Sequence, residues 1–143
     1  MGLDITFNRI KRVELSQEAQ EDRFGMVALD ELYNNVELVY DELAYYRKVN
    51  FLYRYFSDYM DANGIMAVVD KYAIEDIIEC CKEVLADNSK AEELLPTVNG
   101  FFFGSTEYDK YYFKEVAQVL KDFEKILQEF DMENYFYFGY FSY

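Results

Sequence analysis

Glu75, Glu79 and Glu83 recur at four-residue steps, and Asp87 carries the same line one turn further. Four residues of helix rise about 6 Å, so such a column displays one negative charge per turn. Asp76 stands on the neighbouring line. An ordered ladder of this kind imitates a run of phosphates. Its plainer alternative is a solvated helix face, whose self-repulsion costs a few tenths of a kcal/mol per pair. Two more acidic pairs, Asp30-Glu31 and Asp41-Glu42, lie between Ser16 and Tyr46, where Arg23 is the sole base. The nine residues Asp30, Glu31, Asp41, Glu42, Glu75, Asp76, Glu79, Glu83 and Asp87 form the expected partner-binding set.

A basic island interrupts this acidity. Arg47 and Lys48 lie within about one helical turn of Asn50, with Arg54 further along. These groups can neutralise carboxylates inside the fold. Alternatively, Arg47 and Asn50 bind a small anion together with the free amides of a helix starting at Gly104, Ser105 and Thr106, since helix N-termini favour anions. The lysines Lys110, Lys114, Lys121 and Lys125 read as the wet face of a long helix.

Catalytic chemistry has little to work with. The chain contains no histidine, so proton transfer would fall to Asp, Glu, Lys or Tyr, and no assembled acid–base or nucleophile pair is visible. No phosphate loop, dinucleotide fingerprint, zinc spacing or calcium loop occurs. No catalytic residue, metal or cofactor is assigned. The two cysteines, Cys80 and Cys81, are adjacent and read as packing residues, with Cys81 buried and Cys80 nearer the flank.

The composition sets the frame that must position these groups. A formal charge of −14 repels nucleic acid and anionic membranes and attracts proteins with basic grooves. An apolar content of 52% over 143 residues supports one folded domain spanning residues 1–143. No apolar run approaches the ~20 residues that span a bilayer, and no secretory leader is recognisable, so a cytoplasmic protein is expected.

Alternation of Leu3, Ile5 and Phe7 against Asp4, Thr6 and Asn8 predicts an N-terminal strand. The stretch from Ser16 to Val39 predicts at most a short strand or helix. Leu43, Tyr46, Asn50, Tyr53, Phe56 and Met60 recur at helical spacing from Asp41 onward, and Asn63-Gly64 closes that helix. Ile65 to Val69 reads as a brief strand. Asp70 caps a second helix with an apolar face of Ile74, Ile77, Ile78, Cys81, Val84 and Leu85. A helical turn from Ala91 stops at Pro96.

Phe101-Phe102-Phe103 reads as extended. A third helix, capped by Ser105 or Thr106, runs to Phe130 with a core stripe through Tyr112, Val116, Val119 and Phe123. The terminal strand, Asn134 to Tyr143, is aromatic on both faces and needs cover on both. It lies either inside the sheet or against a second copy of the chain, which leaves monomer and homodimer open. The expected fold is α+β, with a small antiparallel sheet of N-terminal, central and C-terminal strands packed by three main helices.

Three segments carry a resemblance. Gly2-Leu3-Asp4, Tyr45 to Asn50 and, above all, the run Leu94-Leu95-Pro96-Thr97-Val98-Asn99-Gly100-Phe101-Phe102-Phe103-Gly104-Ser105-Thr106-Glu107-Tyr108-Asp109 resemble a family of small proteins carried by bacteriophages and mobile elements. Tyr46 stands where that family pattern has tryptophan. The resemblance implies a phage setting in a bacterial host. Small acidic phage proteins include inhibitors of host defence nucleases, and a Cas9-type effector offers a deep positive channel for its nucleic acids. An anti-CRISPR role would place the acidic helix and the Asp30-Glu31 to Asp41-Glu42 surface in that basic groove as a DNA mimic. The partner is then a basic host protein, with no direct contact to nucleic acid or membrane. The remaining expectations are a module binding a small anion and a scaffold dimerising through its aromatic end.

Overall fold

The computed structural model describes residues 2–61 and 63–143. Strand β1 (Asp4–Lys11) leads through a 3-10 turn into two short helices, α1 (Gln17–Glu21) and α2 (Met26–Asn34). Strand β2 (Asp41–Arg47), helix α3 (Asn50–Phe56) and strand β3 (Met66–Val68) follow, then α4 (Lys71–Ala86), α5 (Ala91–Leu94), α6 (Lys110–Gln128) and β4 (Tyr135–Ser142). The fold is α+β. Its four strands form one antiparallel sheet in the order β2-β1-β4-β3.

Register explains how one sheet supports two cores. Ile5 lies opposite Phe141 and Phe7 opposite Gly139, whereas Asn8 meets Phe138 and Ile10 meets Phe136. Successive side chains point to opposite faces. Phe7 and Phe141 therefore join the large core under α3, α4 and α6, while Ile10, Phe136 and Phe138 join a smaller one with Ala28, Leu29 and Leu32 of α2. Burying the equivalent of a Leu or Phe side chain is worth roughly 1.5–3 kcal/mol.

The aromatic terminal strand is thus interior, with β1 and β3 as neighbours and helices of its own chain on both faces. This removes the packing reason for a second copy.

Several sequence expectations require correction. The helix expected from Asp41 is strand β2 through Arg47, and only Asn50–Phe56 is helical. Pairing with β1 decides the matter: Ile5 faces Tyr46, whose ring meets Phe7 edge-on at 6.0 Å between centroids. The Tyr46 hydroxyl donates to Asp122 at 2.7 Å, and burial with that bond pushes its pKa up. Lys48, at a φ of 60°, turns the chain between strand and helix.

The stretch after Ser16 forms two helices, the first capped by the Ser16 hydroxyl accepting from Ala19 N. Phe101-Phe102-Phe103 is a turn, not an extended segment, and only Phe103 is buried. Leu85 is 37% exposed and Cys80 is buried, because the core-facing side of α4 lies slightly toward Cys80.

Candidate functional site: an acidic helix face and a braced loop

Helix α4 presents Glu75 and Glu79 to solvent, with Glu83 half-buried. Asp70 starts the helix by accepting from Ala73 N at 2.8 Å, worth about 1 kcal/mol. Ile74, Ile77, Cys81 and Val84 fix the opposite side in the core, so the glutamates face outward by geometry. Lys71 reaches Glu75 and Lys90 reaches Glu83, each at 3.9 Å, at the two ends of the column. Glu79, between them, makes no ion pair among the described residues.

Asp76, on the adjacent line, accepts from the Tyr55 hydroxyl at 2.6 Å. Asp87 is drawn into the turn after α4, accepting from Ser89 N and Oγ. Beyond that turn, Glu92 and Glu93 of α5 are exposed, and Glu93 lines one surface pocket with Asp76 of α4. Buried Cys80 senses these charges. Burial first, then Asp76, Glu83 and Glu79, push its thiol pKa up to about 11. Cys81 rises to about 12, chiefly through burial, so neither sulfur is a thiolate near neutral pH.

The other acidic residues lie elsewhere. Asp30 and Glu31 belong to α2, on the opposite side of the sheet from α4. Asp30 accepts from Asn34, and Glu31 accepts from both the amide and the hydroxyl of Ser16. Asp41 and Glu42 are on edge strand β2, with Asp41 3.4 Å from Arg9. The nine expected residues therefore form one helix face and two separate patches, which no single flat contact can cover.

The residues of the anion expectation do come together, but as a brace. Asn50, 3% exposed, donates to the carbonyls of Phe103 and Ser105 at 3.2 and 3.0 Å and accepts from Val98 N at 3.1 Å. Leu3 N donates to Phe102 O and Lys48 N to Leu3 O. The Gly2–Asp4 segment, the Tyr45–Asn50 segment and the 94–109 run thus meet in one node.

Gly104 has a φ of +94°, and a Cβ there would lie 2.9 Å from Lys48 Cβ. Lys48 and Phe102 both take positive φ in the same node. Glycine takes a positive φ without strain, whereas the two non-glycine positions cost energy that the hydrogen bonds around Asn50 offset.

This arrangement corrects the proposed helix-terminus site. Helix α6 begins at Lys110, and its cap is Asp109, which accepts from Tyr111 N and Tyr112 N. The Ser105 hydroxyl instead accepts from Glu107 N, and Thr97 Oγ1 donates to Thr106 O. The amides nearest the helix start are already satisfied by a carboxylate. Arg47 donates to Asp4 at 2.8 Å, beside the Tyr45 hydroxyl that donates to the same oxygen.

Sequence reasoning missed the exposed apolar tip of this brace. Phe101 is 80% exposed and Phe102 48%, their rings 4.4 Å apart and edge-on. The Asn99-Gly100 turn was legible in the sequence, but it continues through Phe101 and Phe102 where an extended segment was expected. Among the described residues, no group of three Cys, Asp or Glu side chains is arranged to hold a metal ion, and no helix is long and apolar enough to cross a membrane. No family model, curated protein or solved structure matches the chain.

Proposed function

We propose that this protein is a non-catalytic inhibitor that docks the acidic face of α4 and α5 into a basic nucleic-acid groove of a host protein. The observation that carries the reading is the Glu75–Glu79–Glu83 column. It stands on a helix fixed by its buried side and, among the described residues, is paired with cations only at its ends, at 3.9 Å. In a chain of charge −14, such a face gains most from a cationic partner.

The spacing bears on what it can replace. One DNA strand carries a phosphate every ~3.4 Å of axis, so a charge every ~6 Å matches roughly one in two phosphates. Glu93 of α5, which lines one pocket with Asp76, supplies further charge beside the column. The resemblance to small phage proteins supplies the target class, a defence nuclease of the Cas9 type, in the cytoplasm of a bacterial host. Its guide and target strands lie in a channel lined by positive charge.

A competition assay tests this. A guide-loaded Cas9-type nuclease is titrated with labelled target DNA in the presence of the protein, and bound DNA is read by gel mobility. The proposal predicts displacement of DNA with rising protein concentration. Full DNA binding at saturating protein would remove that nuclease class as the target.

A further inference from the structure

A cavity of about 250 Å³ opens at the N-terminal end of α4, where the sheet is incomplete. Among the described residues, strand β3 pairs with Phe138 to Tyr140 and Val69 N adds one bond to Tyr137 O, so Tyr135 and Phe136 have β1 on one side and no ladder on the other. The gap is floored by Tyr135 and Phe136 and flanked by Tyr72, and Arg12, Arg23 and Lys71 also line it.

The cations are its unusual feature. Acidic residues outnumber basic ones by 28 to 14 in this chain, yet among the described residues neither Arg12 nor Arg23 makes an ion pair. Arg12 spends its Nε on the Met132 carbonyl at 2.7 Å and packs toward the Phe136 ring; Arg23 lies over the Phe24 ring at 4.9 Å. Each guanidinium keeps further donors. The two carboxylates lining the same cavity are turned to backbone amides: Asp22 accepts from Phe24 N and Val27 N, and Asp70 from Ala73 N.

The geometry points to a binding site for a small phosphate ester that also bears one planar ring. Guanidinium forks suit the several oxygens of a phosphate, and the aromatic wall suits a ring face. The volume, just below the ~300 Å³ at which drug-sized sites begin, limits the ligand to about a mononucleotide. The acidic column begins one turn further along α4 and touches this site only through Lys71, which reaches Glu75 at 3.9 Å, so the site rests on Arg12 and Arg23.

Uridine 5′-monophosphate is the probe, titrated by calorimetry into the full chain at low salt, with uridine and inorganic phosphate as separate arms. Saturable binding is expected, about tenfold or more weaker for either half alone, and about tenfold weaker in Arg23→Ala. Arg23 is exposed and holds no hydrogen bond whose loss would threaten the fold. Arg12→Lys, which keeps the charge but loses the fork, should weaken the phosphate ester more than uridine. Absence of heat at millimolar nucleotide, equal affinity for uridine, equal affinity for phosphate, or unchanged affinity in Arg23→Ala would each overturn the assignment.

Discussion

Asn50 is a small side chain that decides the path of the fifteen-residue loop between α5 and α6. Its carboxamide serves one amide and two carbonyls, all from residues 98–105. Replacing it with Ala leaves those groups facing an apolar interior, where an unsatisfied polar group costs about 1–3 kcal/mol. We expect Asn50→Ala to lose roughly 2–3 kcal/mol in a urea midpoint measurement. The sequence grouped Asn50 with Gly104–Thr106 only under its alternative of a small-anion site, and put a role within the fold first for the basic segment around it. Nothing in residue type distinguishes an amide that binds an anion from one that binds a distant backbone.

Glu115 offers a second test at this scale. Burial on α6, with Asp109 nearby, raises its pKa from the usual 4.5 to about 7. The folded protein therefore holds this proton more tightly than the unfolded chain. Stability falls as pH rises from the ordinary glutamate value through about 7, and the penalty is complete above it. Glu115→Gln should melt at a higher temperature than the parent at pH 8, with the difference closing by pH 4.

Among the elements, the long helices were legible because each buries one stripe. The spacing of Ile74, Ile77, Ile78, Cys81 and Val84 admits no strand, and the same holds for Tyr112, Val116, Val119 and Phe123. Strand β2 was not legible. Leu43, Tyr46 and Asn50 fit a helical period by coincidence, and pairing with β1 overrides it. The start of α6 was misplaced by several residues because Ser105, Thr106 and Asp109 are all competent caps.

The structure makes the choice between them testable. Asp109→Ala should cost about 1 kcal/mol in thermal or denaturant unfolding, whereas Ser105→Ala should cost no more than about half that. A larger loss in Ser105→Ala than in Asp109→Ala would place the working cap at Ser105, and equal losses would contradict Asp109 as the sole cap.

At the scale of the molecule, the acidity was readable from composition, but its distribution was not. Asp30 and Glu31 lie on one side of the sheet, Asp41 and Glu42 on its edge, and the α4 column on the other side. Sequence places charges along a line, whereas the sheet separates them by folding between them. The same sheet encloses the aromatic terminal strand, which alternation on both faces made a candidate for an interface. The inhibitor proposal therefore rests on α4 with α5, and the acidic pairs on α2 and β2 should be dispensable for it.

Affinity for a guide-loaded Cas9-type nuclease, measured by calorimetry from 50 to about 500 mM salt, tests the central claim most directly. The parent should bind with an affinity that falls steeply with salt. Glu79→Lys with Glu83→Lys should retain the parent melting profile, bind about tenfold or more weakly at low salt and show a shallower salt dependence. Binding that is unchanged by this double reversal, or insensitive to salt, would contradict a contact made through the α4 carboxylates.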